Sequence, residues 1–229
     1  MKKRNVFLSL VLTLALCLGS TIGVSANTFK DVNEAEMEKA VYTFMDDVKK
    51  GGYEKISTDE LDKKIQKGTK MVIVDTMPAS ATPGIVPGAV NAVAGSGAGE
   101  DAYKWQDGQK ENLIKVVNND LKAKGLTKKV TVYGKWEKCS KTAYNKVTVK
   151  ACKRITKVKG KKVYQKRTRT YKIVEDKSAP IVVYCGFIGC ARSHIAAAYL
   201  KSQGYTNVYR YGGGILAWND AGKAMDQYK

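Results

Sequence analysis

Residues 181–200, IVVYCGFIGCARSHIAAAYL, decide how the rest of the chain is read. Ile181 to Tyr184 form a short apolar run, the pattern of a buried strand. From Arg192 the residues favour a helix, expected over about 192–203. Between the two lies a loop with two of the chain's five cysteines, Cys185 and Cys190, and next to it the chain's one histidine, His194. A strand, a tight loop and a helix in that order place the loop where parallel sheets usually bind ligands. Loop amides and the helix N-terminus both favour negative charge there. A cysteine at the end of the strand is thereby offered a stabilised thiolate, the form that acts as a nucleophile. Gly186 and Gly189 let the backbone close around it. The alternative is a small buried residue ahead of a helix, and the residue pattern alone leaves both open.

Outward from this stretch the same alternation continues. MVIVD, residues 71–75, is an apolar run ending in a carboxylate, as in a buried parallel strand. Ile56 opens a short strand, and Ser57 or Thr58 caps a helix running to about Lys67. Residues 34–50 carry Met37, Val41, Phe44 and Val48 at helical spacing and end at Gly51-Gly52. Residues 77–103 are loop-like, and 109–124 form a helix with Leu113, Val116, Val117 and Leu121 on one face. After residue 184 come a strand at 207–209, a glycine run at 212–214 and a last helix from about 215. Strands alternating with helices predict an α/β domain with a central parallel sheet flanked by helices.

These motifs together resemble a rhodanese-like (sulfurtransferase) domain. IVVYC followed by ARSHIAAAYLKSQGYTNVYRYGGGILAW is similar to the family's active-site half. ISTDELDKKIQKGTKMVIVDTMP and GIVPGAVNA are similar to its opening helix, its Asp-ending strand and its GHIPGA signature. The resemblance covers residues 53–127 and 179–222. It implies a Cys185 persulfide that takes sulfur from a sulfane donor and gives it to a thiol or another nucleophilic acceptor. On that reading Cys185, Arg192 and Cys190 carry the chemistry. Gly186, Phe187, Ile188, Gly189, Ala191 and Ser193 bind substrate from the loop, and Asp75 and His194 stand near it structurally. Arg192 brings positive charge to the rim, or pairs with Asp75, or caps the loop. Cys190 resolves the persulfide, or oxidises with Cys185, or packs under the helix. No metal or organic cofactor is required. The chain departs from the family at Ile85, where the usual residue is His, and at Met77, where an Arg often stands. Its C-x4-C-x-R-S-H loop places Arg192 seven positions after Cys185, one more than in the C-x5-R loop of dual-specificity phosphatases, which argues against phosphatase chemistry.

Residues 128–178 break the α/β rhythm. They hold 18 Lys and Arg against 3 Asp and Glu, nearly all of the excess behind the net charge of +19. VTVYGKW, VTVKACKRITKV and KVYQKRTRTYKI predict a basic antiparallel meander of three strands, with a hairpin turn at Lys159-Gly160. Cys139 and Cys152, placed on adjacent strands, are expected to form a disulfide worth about 3 kcal/mol in the chain-entropy model. Two cysteines with no nearby histidine are too few for zinc. The charge suits a polyanion, a wall polymer or an anionic surface, and nothing suggests sequence-specific nucleic-acid readout. A solvated face whose lysines protect sheet edges is the alternative.

At the N-terminus Lys2-Lys3-Arg4, an apolar stretch and Val24-Ser25-Ala26 have the form of a secretory signal peptide over residues 1–26. The expected organisation is that peptide, an N-terminal helical segment at 27–52 and a domain at 53–229 into which the basic segment is inserted, the whole being extracytoplasmic. Three functions follow: a secreted sulfurtransferase, a surface-binding protein on a non-catalytic scaffold, or a thiol–disulfide redox protein using Cys185 and Cys190.

Overall fold

The computed structural model describes residues 33–96, 101 and 103–228. The expected signal peptide lies outside the described residues. Among the described residues, no helix is long and apolar enough to cross a membrane.

Helix α1, Glu34–Gly51, starts where the Asn33 side chain accepts the Glu36 amide and stops at Gly52 in the left-handed region. Its apolar stripe docks only in part. Phe44 is buried and Val48 packs on the core, but Met37 remains 44% exposed, because just the C-terminal half of α1 reaches the domain. Strand β1, Glu54–Ile56, leads to α2, Thr58–Gln66. A reciprocal capping box between Ser57 and Glu60 fixes the start of α2. Then follow β2, Val72–Asp75, and the two-residue β3, Val90–Asn91, with a short 3-10 turn at Ala79–Ala81 between them. Helix α3 spans Gln109–Ala123.

The inserted segment begins with β4, Thr127–Tyr133, and β5, Glu137–Lys138. Helix α4, Lys141–Lys146, follows, capped by Ser140, and then a 3-10 turn at Lys150–Cys152. Strands β6, Lys153–Val158, β7, Lys161–Lys166, and β8, Arg169–Glu175, complete it. The parallel unit resumes with β9, Ile181–Tyr184, α5, Arg192–Ser202, β10, Val208–Tyr211, and α6, Gly214–Asp220.

Five parallel strands form one sheet in the order β1-β10-β9-β2-β3. The predicted α/β class with a central parallel sheet is the observed one. Both faces of the sheet are covered, which is why β2 and β9 read as unbroken apolar runs. Val72, Val74, Ile181 and Val183 point to one side, into a core with Leu113, Val117 and Leu121 of α3 and Ala196 and Leu200 of α5. Ile73, Val182 and Tyr184 point to the other, against Leu61 of α2 and Trp218 of α6. Truncating one of these fully buried side chains to alanine costs about 2–5 kcal/mol. Helices α1 and α5 pack together over the C-terminal end of β9, and the cysteine loop is built there.

The basic segment is not a three-stranded meander. It forms a β4–β8 ribbon and a separate sheet in the order β5-β7-β6. The run expected as one strand over 162–173 divides at Arg167-Thr168, where the chain exchanges partners. The Arg167 amide bonds Cys152 O, and Thr168 O accepts the Gly134 amide. The hairpin turn is as expected, with Lys159 and Gly160 both at positive φ. The expected Cys139–Cys152 disulfide is not present, and both are free thiols. Cys139 is registered on one side of β7 through Tyr164 O, and Cys152 on the other through the Arg167 amide. Cys139 lies just past β5 and Cys152 just before β6, so β7 runs between them and they are about two strand spacings, ~10 Å, apart, beyond the roughly 7 Å Cα separation a disulfide spans.

Candidate functional site

Cys185 directly follows β9 and is 1% exposed. The loop after it is held from the far side by α6. The amides of Ile215 and Leu216 donate to Cys185 O and Gly186 O at 2.9 and 3.0 Å. The glycine run makes this approach possible. Gly214 has a φ of 63°, and a Cβ there would stand 2.5 Å from Cys185 O and 2.6 Å from Gly186 C.

The immediate surroundings of Cys185 reverse one expectation. Its Sγ faces acceptors, Cys190 O at 3.2 Å and Phe187 O at 3.9 Å, and the Ser193 hydroxyl at 3.1 Å. Burial, with the hydrogen bond and negative charge of Cys190, pushes the Cys185 thiol well above its usual range. The surroundings favour negative charge on Cys190 instead. Cys190 is half-buried and pushed down to about 6, chiefly because the Cys185 thiol donates to it. The amides of Arg192 and Gly186 and the Arg192 charge add to the effect against the cost of burial. The amide cradle expected for Cys185 is therefore spent on Cys190. The surroundings of the two thiols thus push in opposite directions, favouring negative charge on Cys190 and opposing it on Cys185.

Arg192 is not at the rim, and it does not pair with Asp75. It is buried, and its Nη1 donates to Ala94 O at 2.6 Å and Gly95 O at 2.7 Å, tying the loop after β3 to the start of α5. The positive charge acting on Cys185 comes from Arg210, a residue the sequence motifs do not single out. Arg210 lies in β10, 1% exposed. Its Nε donates to Ser193 Oγ at 2.9 Å, and its Nη2 to Cys190 O at 2.9 Å and Ile188 O at 3.4 Å. Nη1 donates to Asp47 Oδ2 at 3.0 Å, and the Phe44 ring lies 4.7 Å from the guanidinium. With Nε donating to the Ser193 oxygen, the Ser193 hydroxyl and the Cys185 thiol share a further hydrogen bond in which either can donate. The signal for Arg210 was a charged side chain inside VYRY, a strand otherwise buried on both faces. A buried cation requires a partner, and Asp47 of α1 supplies it.

The remaining predicted residues fall into place around this network. His194 takes a hydrogen bond at Nδ1 with the Tyr53 hydroxyl, 2.8 Å, and its Nε2 is 3.8 Å from Asp47 Oδ1. Burial lowers its basicity, against the pull of Asp47. Asp75, next to Tyr184 in register, is buried. It accepts the Tyr228 hydroxyl at 2.5 Å and the Met77 amide at 3.0 Å, and burial raises its carboxyl. Phe187 is 52% exposed on the outer side of the loop, against the spot where Gly189 lacks a side chain. Ala191 is buried at the start of α5. A cleft of about 510 Å³ at the β3 edge, lined by Asn91, Asp120, Asp226 and Tyr228 among others, contains neither cysteine. Among the described residues, no group of three or more His, Cys, Asp or Glu is placed to hold a metal ion.

The fold thus sets two cysteines in the loop that leads from a central strand of a parallel sheet into a helix. Residues 159–221 match the family model of the rhodanese-like domain, a span from the β6–β7 turn through α6 that includes both cysteines, Ser193 and Arg210. No curated protein matches the chain. Among solved structures, the chain is similar to a protein of unknown function, a possible tyrosine phosphatase, from Rhodopseudomonas palustris, at 16% identity and a TM-score of 0.40, covering 80% of this chain and 93% of that one. It is also similar to a thiosulfate sulfurtransferase from Pseudomonas aeruginosa, at 12% identity and a TM-score of 0.41, covering 83% of this chain and 23% of that one. A Bacillus halodurans protein gives 16% identity and a TM-score of 0.36, with 81% and 82% covered. With TM-scores below 0.5, these three likenesses do not bear on the chemistry.

Proposed function

We propose that the chain is a sulfane-sulfur transferase in which Cys185 carries the sulfur and Cys190 manages its proton. The observation that carries this reading is the buried Cys185 in the loop after β9, its Sγ 3.2 Å from Cys190 O and 3.1 Å from the Ser193 hydroxyl that Arg210 holds; the rhodanese-like match over the same residues supports it. As a donor such as thiosulfate enters, Cys185 gives its proton to the Cys190 thiolate. The Cys185 thiolate attacks the outer sulfur, the donor S–S bond breaks, and sulfite leaves with the electron pair. Ser193, polarised by Arg210, stabilises the charge on Cys185 as it forms. An acceptor thiolate then attacks the outer persulfide sulfur. Cys185 leaves as a thiolate and recovers its proton from Cys190.

A second reading is thiol–disulfide exchange, in which Cys190 attacks a substrate disulfide and Cys185 resolves the mixed disulfide. The partial exposure and low pKa of Cys190 favour it. Intact-mass analysis of the reduced protein after thiosulfate separates the two. A gain of one sulfur that is lost in Cys185→Ser and kept in Cys190→Ser is expected. A gain lost only in Cys190→Ser reverses the roles of the two thiols. No gain with thiosulfate or polysulfide, together with turnover of a small disulfide, overturns sulfur transfer in favour of exchange.

A further inference from the structure

Among the described residues, one face of the β4–β8 ribbon is exposed. Register places Lys129 opposite Ile173, Thr131 opposite Tyr171, and Tyr133 opposite Arg169, and these six side chains share one side. All six are exposed. The other side carries Val130, Val132 and Val174, which are half-buried. The outward side is thus as apolar as it is basic: Ile173 is 66% exposed, Tyr171 49% and Tyr133 40%. Its cations lie on its rings. Lys129 Nζ is 4.2 Å from the Tyr171 ring centre, Arg169 is 5.0 Å from the same ring, and Arg167 is 3.9 Å from the Tyr133 ring. The segment has few acids to neutralise it. Asp176 pairs with Lys128, and Glu175 is taken by Lys122 from α3.

We infer that this face docks on an anionic lipid bilayer. A soluble polyanion would use the cations but has no place for an exposed isoleucine beside an exposed tyrosine. An anionic bilayer uses both: a plane of phosphates for Lys and Arg, and an interfacial zone where tyrosine rings and aliphatic side chains leave water. Cations laid flat on rings are already ordered, so less conformational entropy is lost when they meet the headgroups. The β6–β7 hairpin tip has the same composition, with Val158 exposed between Lys157 and Lys159.

The test is co-sedimentation of the full chain with vesicles of pure phosphatidylcholine and of phosphatidylcholine with phosphatidylglycerol. Any contribution of the apolar N-terminal stretch is common to all variants and is read from the neutral vesicles. The wild type is expected to bind the anionic vesicles at least tenfold more tightly than the neutral ones, with the difference shrinking as salt is raised. Lys129→Glu with Arg169→Glu is expected to abolish that preference, since each cation near the surface is worth about fivefold. Tyr171→Ser with Ile173→Ser leaves the charge unchanged and is expected to weaken anionic binding severalfold. Circular dichroism confirms that each variant is folded. Equal binding to both vesicles by the wild type overturns the inference. An anionic preference untouched by Tyr171→Ser with Ile173→Ser, with equal affinity for heparin, also overturns it and makes the face a site for soluble polyanions.

Discussion

Replacing Cys185 with alanine tests the thiol pair directly, because the largest influence holding Cys190 near 6 is the hydrogen bond from Cys185. At pH 7 a thiol with a pKa of about 6 is about 90% thiolate, whereas an ordinary cysteine near 8.5 is only a few per cent ionised. Removing the Cys185 donor leaves the amides of Arg192 and Gly186 and the Arg192 charge, set against the burial that opposes ionisation. The Cys190 midpoint is expected to rise by at least about one unit, a tenfold fall in the thiolate-to-thiol ratio at neutral pH. The assay is the pH dependence of iodoacetamide labelling of Cys190, followed by peptide mass in the wild type and in Cys185→Ala. A wild-type midpoint near 8.5, or a midpoint unmoved by Cys185→Ala, would refute the reasoning. The sign carries over to stability. Because the folded-state pKa of Cys190 is depressed, its contribution to stability is fully present above the ordinary thiol pKa and is lost as pH falls through about 6.

Arg210→Met strands Asp47 as an unpaired buried charge, and chemical denaturation is expected to show a loss of about 3–5 kcal/mol. Arg210→Lys keeps the charge but not the fork that joins Asp47, Ser193 and Cys190 O, so it should fold better than Arg210→Met yet still slow sulfur transfer. Gly214→Ala puts a methyl group against Cys185 O in a left-handed conformation. It is expected to lower the melting temperature and move the Cys190 labelling midpoint, and a variant unchanged in both would show that α6 does not position the loop. Because Cys139 and Cys152 are free, reductant is expected to leave the melting temperature unchanged, and alkylation of the unreduced, denatured protein should modify both. Protection of that pair before reduction would restore the disulfide.

The parallel sheet was legible because β2 and β9, covered on both faces, leave unbroken apolar runs, and because Ser57, Gly52 and Gly125 mark helix ends by local chemistry. The position of the site was legible for the same reason: Cys185 follows a buried strand and precedes a helix. The sharing of charge within it was not. Which sulfur meets amides and which meets carbonyls depends on peptide orientations in a seven-residue loop, and residue identity does not encode those. Arg210 and Asp47 lie 163 positions apart and meet only through the packing of α1 on α5. In the basic segment, alternation predicted strands correctly but not partners. Many β-branched and charged residues there suit several registers, and the switch at Arg167-Thr168 is a matter of which neighbour is nearer.

Helix α1 precedes the whole parallel sheet in the chain, yet it supplies Asp47 and Phe44 to the guanidinium behind the cysteines. The cysteine loop therefore has a removable back wall. A protease that cut at the Gly51-Gly52 junction would leave all five parallel strands intact while taking away the counter-ion of Arg210. In a chain growing from its N-terminus this helix is made before the sheet, yet it can meet Arg210 and α5 only after both have been made.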